Sequence, residues 1–517
     1  MTVTKTTAKL LELNNVIHGK KQPPSTTQYQ YVYSPSTSQP IASVALSTTA
    51  DVEAAIKSSQ MALPSWSSMT IKARAAIMLK FHSLVQQNAK ELASLIVLEN
   101  GKNVNEALAD VAKGNETVEY AGSLPQLAQG KILQVSSQVS CEDKRTPLGI
   151  VACIVPFNFP FMVPMWTLPI ALVMGNCVIL KPSEKVPLTM HRTMELLQEA
   201  GVPDGVVNLI HGGADAVNGL IDHSDVKAVT FVGSSPVAKH VKVRCDGLHK
   251  RCTALGGAKN HLIALDDCDL EETARDVVVS SAGCAGQRCM AASVLIIVGE
   301  GGRQDALIAK ILEKAKELQK GTNPGQLGPV IDEASYNKIV GYIDDSEKSG
   351  ATILLDGRTW MENDASGGYF VGPTVIKHSS KDDRAMKEEV FGPVLSVYTA
   401  SSWKEAIEIE NSNPFGNAAC IYTSNGGYAE WFIKRFRAGM LGVNVGIPVP
   451  REPFSFGGLY GTSSKYGDMD ITGDGAMEFF SNRIKVTTKW IVPKGVEMDG
   501  DIKMNEHVDH ANFGGNM

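Results

Sequence analysis

The chain has 517 residues, 43% of them hydrophobic and 20% charged, with a formal net charge of −6. This length gives room for two to four domains with large cores. The mild negative charge excludes the basic field that binding to nucleic acid or to an anionic membrane requires. Four prolines interrupt the most apolar stretch, residues 151–173, so we expect no membrane span.

The nine cysteines are odd in number and follow no repeating spacing, which indicates a reducing compartment. The first twenty residues contain lysines but no arginine, and they lack the long apolar core of a secretion signal. We therefore expect a cytosolic protein, with the mitochondrial matrix as the alternative.

The first 40 residues are rich in Thr, Ser, Gln and Pro, which predicts an extended arm, placed at residues 1–30, rather than a core element. Amphipathic spacing predicts helices between residues 49 and 100. The middle of the chain then alternates between apolar strands and helices, which indicates a parallel sheet covered on both faces. The predicted strands are 149–155, 177–181, 206–210 and 228–232, and the predicted helices are 188–200 and 236–248.

A second alternating region covers residues 261 to about 456, with a helix at 305–319 and strands near Val294 and Ala418. Residues 131–144 alternate like a hairpin, to which residues 482–490 are expected to add an edge strand. The segment after Val492 is polar and rich in Gly and Met, which predicts a flexible tail over residues 492–517.

The densest candidate site is Ser281-Ala-Gly-Cys-Ala-Gly-Gln-Arg-Cys-Met290, where small residues allow a ligand to approach the backbone. Metal binding is an alternative, but no second pair of Cys or His lies nearby with ligand spacing. A buried structural turn is the simpler interpretation of a lone cysteine. Arg288 favours the thiolate of Cys289, because an adjacent cation lowers the pKa of a thiol.

Val155-Pro-Phe-Asn-Phe-Pro160 follows a predicted strand, and Asn158 has the N–H donor that a developing oxyanion needs. A proline-punctuated loop in which Asn158 bonds its own backbone is the competing interpretation.

Two further loops follow predicted strands, at the edge where open α/β sheets bind ligands. In Leu180-Lys-Pro-Ser-Glu184 a lysine and a glutamate are suited to hold ribose hydroxyls. Phe231-Val-Gly-Ser-Ser235 precedes a helix, so its backbone N–H groups are suited to a phosphate, although it is neither GxGxxG nor a P-loop. The adjacent carboxylates of Glu388-Glu-Val-Phe-Gly-Pro393 are more often a solvated face. Each signal is weak by itself.

Taken together and in order, these segments resemble the aldehyde dehydrogenase family over about residues 30 to 490. Gly256-Gly-Ala-Lys-Asn260 and Gly286-Gln-Arg-Cys289 complete the match. The resemblance implies an α/β fold with a Rossmann-like NAD-binding domain, a catalytic α/β domain and a small β domain that assembles dimers or tetramers. The expected bounds are 31–124 with 148–258, then 259–461, and 125–147 with 478–491.

The same resemblance implies the roles of individual residues. Cys289 is the expected nucleophile, with Asn158 and the Cys289 backbone N–H as the oxyanion hole. Attack on the aldehyde, followed by hydride transfer to NAD, leaves a thioester on Cys289. The remaining expected cofactor residues are Phe157, Lys181, Glu184, Gly233, Ser234, Glu389 and Phe391.

The expected release of the thioester depends on one position. Hydrolytic members carry a glutamate four residues before the lysine of Glu-Leu-Gly-Gly-Lys, and the corresponding residue before Lys259 is Leu255. Leucine accepts no proton from water, so the expected acyl acceptor is coenzyme A. The Ala254–His261 and Val445–Pro450 segments look like the CoA-acylating methylmalonate semialdehyde dehydrogenase branch.

That branch implies a substrate carboxylate, which Arg288 and Lys113 are expected to bind, with lysine at a place where the branch has arginine. A lysine there lacks the bidentate fork, which leaves strict substrate preference open. One alternative is a hydrolytic enzyme that uses Glu388 or an ordered water as base. A second is a non-catalytic protein on the same scaffold, although such proteins tend to lose the nucleophile.

Overall fold

The computed structural model describes residues 10–490 except 137–138, 300–301 and 363–366. The predicted flexible tail over 492–517 lies outside the described residues. Within the described part of the chain, the strands form one sheet of eight strands, one of seven and two of three.

The strands are numbered in chain order. They are β1 (Leu11–Leu13), β2 (Asn15–Ile17), β3 (Lys20–Gln22), β4 (Tyr29–Tyr33), β5 (Pro40–Ala45), β6 (Lys131–Ser136), β7 (Val139–Pro147), β8 (Ile150–Ile154), β9 (Cys177–Lys181), β10 (Val207–Leu209), β11 (Val226–Val232), β12 (Arg251–Leu255), β13 (Asn260–Ala264), β14 (Ala292–Val298), β15 (Thr352–Leu355), β16 (Thr374–Lys377), β17 (Val394–Ala400), β18 (Ala418–Tyr422), β19 (Met440–Val443), β20 (Lys465–Tyr466) and β21 (Ser481–Lys489).

The α-helices are numbered in the same way. They are α1 (Thr49–Ser68), α2 (Ile71–Gln87), α3 (Ala89–Asn100), α4 (Val104–Gly122), α5 (Leu124–Leu127), α6 (Met162–Val173), α7 (Leu188–Ala200), α8 (Ala214–Asp222), α9 (Ser235–Gly247), α10 (Leu270–Ala282), α11 (Gly302–Glu317), α12 (Glu333–Lys348), α13 (Thr359–Glu362), α14 (Arg384–Lys387), α15 (Trp403–Ser412), α16 (Gly426–Ile433) and α17 (Gly475–Phe479).

The eight-stranded sheet has the order β20-β12-β11-β8-β9-β10-β2-β3, and β12 through β10 are parallel. The chain runs outward from β8 through β9 to β10, then crosses back to β11 on the other side of β8. The strand order therefore reverses between β8 and β11, and the carboxyl ends at such a switch point form a ligand crevice. The loops after β8 and β11 are the ones that carry Asn158 and Gly233.

The seven-stranded sheet has the order β15-β16-β17-β14-β13-β18-β19, and its strands are parallel except β15. Residues 256–259 join β12 of the first sheet to β13 of the second, and this connection contains the Gly-Gly-Ala-Lys motif. The two large sheets therefore meet at a segment that the sequence had singled out.

A smaller sheet consists of β6, β7 and β21 in the order β21-β7-β6. Strand β21 pairs antiparallel with β7 along its whole length, from Ser481 opposite Pro147 to Lys489 opposite Val139. The predicted hairpin and the predicted added strand are both confirmed. The role of this sheet in assembly, and the division of the chain into domains at the expected residues, stay predictions.

The prediction of an N-terminal arm outside the core is wrong for the described residues. Strand β2 joins the eight-stranded sheet, where Val16 lies opposite Leu209. Val16 and Ile17 are buried in the main hydrophobic core. The reason is physical: these strands are three residues long, too short for periodicity to show, and their partner lies almost two hundred residues away.

The predicted helices and strands of the middle region are otherwise confirmed to within a few residues. Helix α7 ends at Ala200 because Gly201 adopts a left-handed conformation with φ of 101°, which a residue with a Cβ atom rarely adopts. In the described ranges, no helix has both the length and the apolar character that crossing a bilayer demands.

Candidate active site

Cys289 lies in a short loop between α10 and β14, and a left-handed turn shapes this loop. Cys284, Ala285 and Gly286 have φ of 53°, 54° and 66°. Two of the three carry a Cβ atom, so the turn stores strain that the surrounding contacts must offset. One such contact is the backbone N–H of Cys284, which donates to the Glu106 carboxylate at 2.6 Å.

Two asparagine side chains fix the backbone at the sulfur. Asn260 Nδ2 donates to the Cys289 carbonyl at 2.8 Å, and Asn417 Nδ2 donates to the same oxygen at 2.9 Å. Asn260 Oδ1 in turn accepts from the Ala418 N–H at 3.1 Å. Both asparagines begin or precede strands of the seven-stranded sheet, so that sheet holds the nucleophile in place.

Asn158 reaches this loop from the other sheet. It follows β8, it is 7% exposed, and its Nδ2 donates to the Gln287 carbonyl at 3.0 Å. An amide nitrogen has two hydrogens, so the bond to Gln287, two residues before Cys289, leaves one N–H of Asn158 unused by that bond. The structure thus brings together the two residues that the sequence paired as nucleophile and oxyanion donor.

A cavity of about 340 Å³ opens at Cys289. Apolar side chains such as Phe159, Trp166 and Phe456 form much of its wall, and Arg288 and Lys113 lie in the same lining. A concave, mostly apolar pocket with a few polar groups is the usual form of a small-molecule site.

Arg288 faces both this cavity and the end of a helix. Its Nη2 donates to the carbonyls of Val279 and Ser280, at 3.0 and 3.2 Å, in the last turn of α10. These bonds add a side-chain donor at the end of α10, where intrahelical N–H partners run out, and the Val279 carbonyl also accepts from the Gly283 N–H. They also hold the guanidinium at a fixed place in the cavity wall.

Lys113 is in the cavity lining, but its ammonium has a protein partner. Its Nζ donates to both carboxylate oxygens of Glu116, at 2.8 and 2.9 Å. The sequence did not single out Glu116. A pair of opposite charges at a spacing of three residues was the available signal.

The surroundings of Cys289 raise the pKa of its thiol, whereas Arg288 alone was expected to lower it. Burial, and next the nearby Glu389 carboxylate, raise the pKa of Cys289 to about 12, and Arg288 opposes them with a smaller lowering effect. The adjacent cation therefore acts in the predicted direction but does not prevail. Glu389 is the carboxylate that raises the pKa of this thiol.

Glu389 and Glu388 have very different surroundings. Glu389 accepts a hydrogen bond from the Ala258 N–H at 2.9 Å, and burial raises the pKa of its carboxyl. A Cβ atom on Gly257 would come within 2.3 Å of Glu389 Oε2, so the glycine makes room for the carboxylate. Glu388 is instead half-exposed and accepts from the Tyr342 hydroxyl at 2.6 Å and from Arg384. Glu388 is not among the residues that line the cavity at Cys289, and its suggested use as a base there stays a prediction.

The position that could hold a water-activating glutamate is apolar. Leu255 ends β12, is 4% exposed and packs in the main core. Its carbonyl accepts from the Gly233 N–H at 3.0 Å. Leu255 therefore offers no carboxylate that could activate a water molecule.

Four of the expected cofactor residues lie at the carboxyl ends of β9 and β11, the strands on either side of β8. Lys181 Nζ lies 3.3 Å from Glu184 Oε2 just after β9, and burial lowers the pKa of Lys181. Gly233 and Ser234 precede α9, and the Ser234 side chain makes no capping bond to that helix. Backbone N–H groups at such a helix end are suited to a phosphate. These residues fit a dinucleotide.

Phe157 and Phe391 meet edge to face, with ring centroids 6.1 Å apart. Phe157 comes from the loop after β8, and Phe391 follows Glu389 with a φ of 59°. The pair joins the crevice of the first sheet to the Glu389 segment of the second. Asn417, like Glu116, is a site residue that the sequence did not single out, since it belongs to none of the motifs.

Three features together define a class of enzyme. They are the fold, the crevice at the switch point of the first sheet, and a cysteine whose carbonyl is held by two asparagines of the second sheet. The model of the aldehyde dehydrogenase family matches residues 22–486, and the chain belongs to this family. The prediction of an aldehyde dehydrogenase fold and of an enzyme of this family is confirmed.

Named relatives agree with this assignment. Malonate-semialdehyde dehydrogenase 1 of Shouchella clausii is 40% identical over 492 residues, which cover 94% of this chain and 99% of the relative. Malonate-semialdehyde dehydrogenase of Bacillus velezensis is 41% identical over 490 residues, with 94% and 99% covered. A crystal structure of methylmalonate-semialdehyde dehydrogenase from Oceanimonas doudoroffii matches with a TM-score of 0.91 and 38% identity, covering 94% of this chain and 99% of that one.

Proposed function

We propose that this protein oxidises malonate or methylmalonate semialdehyde with NAD and transfers the acyl group to coenzyme A. One observation carries the proposal: the cavity at Cys289 contains the cations Arg288 and Lys113, while the buried residue at the water-activating place is Leu255. The names of the relatives support the substrate class. A Sinorhizobium meliloti neighbour solved with NAD, at 35% identity and a TM-score of 0.92, supports the cofactor.

The chemistry divides into two halves at Cys289. The thiol releases its proton to solvent and its sulfur attacks the aldehyde carbon, while Asn158 and the Cys289 N–H stabilise the oxyanion. When the oxyanion collapses, the aldehyde hydrogen leaves as hydride, for which bound NAD would be the acceptor, and a thioester remains on Cys289. Lys181 and Glu184 hold the adenine-side ribose, the N-terminus of α9 with Gly233 and Ser234 approaches the pyrophosphate, and Glu389, with Phe157 and Phe391 beside it, holds the other ribose.

Coenzyme A completes the cycle through its thiol. The CoA thiol loses its proton as its sulfur attacks the thioester, and the Cys289 sulfur leaves and takes up one of the two protons that the thiols have released. If the acyl group carries a β-carboxylate, it loses carbon dioxide, and the carbon that is left takes up the second of the two protons released by the thiols. The products are then NADH, carbon dioxide and acetyl-CoA or propionyl-CoA. Arg288 and Lys113 bind the substrate carboxylate before this step.

Product analysis with and without coenzyme A tests the proposal. We expect NADH formation from malonate semialdehyde to stop after one turnover per site without CoA and to continue with it, giving acetyl-CoA. Sustained turnover without CoA and release of free acid would establish the hydrolytic alternative instead. Replacement of Cys289 by Ala should abolish both the first turnover and the acyl adduct seen by mass spectrometry.

We also propose that the β21-β7-β6 sheet assembles the protein into homodimers or homotetramers. Exposed large hydrophobic side chains lie on this sheet or next to it, which is unusual for a surface without a partner. They are Ile132, Leu133, Val135, Ile484, Val486 and Trp490. Replacement of Ile132 by Lys should shift the mass of the particle toward the monomer by sedimentation, whereas Leu79→Lys on α2 serves as the exposed control.

A further inference from the structure

One face of helix α4 forms a wall of the catalytic cavity. The lining residues of α4 recur at the spacing of a single helical face. They are Glu106, Ala109, Asp110, Lys113, Glu116 and Thr117. Three of the six are acidic, which is an unexpected composition for a pocket that is to receive a carboxylate.

Two of these three acids have structural partners away from the substrate. Glu106 accepts from the Cys284 N–H, and Asp110 accepts from the Met162 N–H at 2.7 Å and from Lys102 at 2.7 Å. Glu116 differs, because its partners are the cations of the cavity itself. Its Oε1 lies 2.8 Å from Lys113 Nζ and 3.9 Å from Arg451 Nη1.

We propose that Glu116 sets the preference of this enzyme between carboxylated and neutral aldehydes, by holding the Lys113 ammonium that a substrate carboxylate would otherwise engage. The inference deepens the proposed function and rests on it. Lysine has three donors, and two of them are directed at Glu116. An incoming carboxylate has to compete for them and meets the negative charge of Glu116.

The charges near the cavity show why Glu116 matters even though Arg288 is present. Arg288 is fixed at the end of α10, so it provides one cation to the cavity. Lys113 and Glu116 together contribute no net charge. Arg451 is mostly exposed, at 72% of its side chain, so water screens its contribution. Removal of the Glu116 charge therefore adds one net positive charge beside the site.

The test compares two substrates in one enzyme. The second-order rate constant for NADH formation in the first turnover is measured without coenzyme A, once with malonate semialdehyde and once with propanal. The preference of the enzyme is the ratio of the first constant to the second. We expect Glu116→Gln to raise the ratio of the two constants about threefold or more, the scale of a partly exposed ion pair. Glu119→Gln, an exposed glutamate on the same helix, should leave the ratio unchanged.

A double substitution shows whether the effect acts through Lys113. We expect Lys113→Met to lower the ratio, and Glu116→Gln to add nothing in the Lys113→Met background. An unchanged or lowered ratio in Glu116→Gln, or a gain that persists without Lys113, would overturn the inference. Glu116→Ala gives a second measurement if the glutamine variant is unstable. Failure of the CoA dependence would instead overturn the proposed function and leave this ratio measurable.

Discussion

Gly286 packs directly against the carbonyl of Gly392: a Cβ atom on Gly286 would come within 2.0 Å of that oxygen. Gly286 also has a φ of 66°, a region that glycine enters without steric cost. The contact joins the loop of the nucleophile to the turn that follows Glu389. A side chain at Gly286 would therefore displace one of these two segments.

Replacement of Gly286 by Ala should impair both folding and catalysis. We expect a loss of about 2 kcal/mol or more in stability from overpacking and strain, seen as a lower Tm, and loss of most aldehyde oxidation. Gly341→Ala on α12 is the matched control, since nothing lies within 4 Å of its Cβ position. That variant should be neutral or slightly stabilised. Equal melting temperatures for the two variants would contradict the packing argument.

Asn417 should matter for rate more than for substrate binding. Asn417→Ala removes one of two side-chain donors to the Cys289 carbonyl, which frees the loop that aims the sulfur. We expect kcat to fall about tenfold or more, because small misplacements of a nucleophile are costly, with little change in KM for the aldehyde. Asn411→Ala removes a comparable bond, to the Arg435 carbonyl, and should leave kcat unaffected. A change in KM alone for Asn417→Ala would argue against this role.

The raised pKa of Cys289 predicts how fast the free enzyme is alkylated. With a pKa of about 12, the thiolate fraction grows about tenfold for each pH unit between 7 and 9. The rate of iodoacetamide labelling at Cys289, followed by peptide mass spectrometry, should therefore rise throughout this range without a plateau. A plateau near pH 8 would show that the thiol is much more acidic than this environment implies.

Glu389→Gln should accelerate the same labelling at any given pH. The neighbouring carboxylate is the second cause that raises the pKa of Cys289, so its neutralisation lowers that pKa and increases the thiolate fraction. Glu388→Gln is the adjacent control, because this residue contacts Tyr342 and Arg384 instead. If both variants label alike, the charge of Glu389 does not act on the sulfur.

The buried pair of Lys102 and Asp110 should contribute strongly to stability when one partner is removed. Their charged atoms are 2.7 Å apart and their side chains are 2% and 0% exposed. Lys102→Ala leaves an unpaired buried carboxylate, which costs about 3 kcal/mol or more, and we expect a clear fall in Tm. Lys404→Ala breaks an exposed pair with Glu408 and should change Tm by no more than a degree or so. Similar shifts for the two variants would refute the comparison.

Local patterns carried much of the fold and of the candidate site. The helix that ends before Gly201 was predictable because both its apolar periodicity and the glycine that ends it lie within one short stretch of sequence. Strand β2 was not, because three residues carry no period and its pairing with β10 is a long-range contact. The site shows the same division: Cys289 and Asn158 belong to motifs, whereas Asn417 and Glu116 acquire their roles only through contacts.

The neighbours Glu388 and Glu389 illustrate what composition leaves undetermined. Two adjacent glutamates are chemically the same in the sequence, yet Glu388 is exposed, whereas Glu389 is partly buried and accepts from the Ala258 N–H. Gly257, from the connection between the two sheets, leaves space for the Glu389 carboxylate. Conformation, rather than residue type, decides which of them can influence the sulfur.

Asn158 and Cys289 belong to different sheets, with Asn158 after β8 and Cys289 before β14. In the proposed mechanism the oxyanion hole is therefore built from both sheets, and the hydrogen bond from Asn158 to Gln287 joins the two loops that form it. A displacement of one sheet against the other would change the distance between the amide donor and the sulfur, so the geometry of the proposed oxyanion hole depends on how firmly the two sheets are held together.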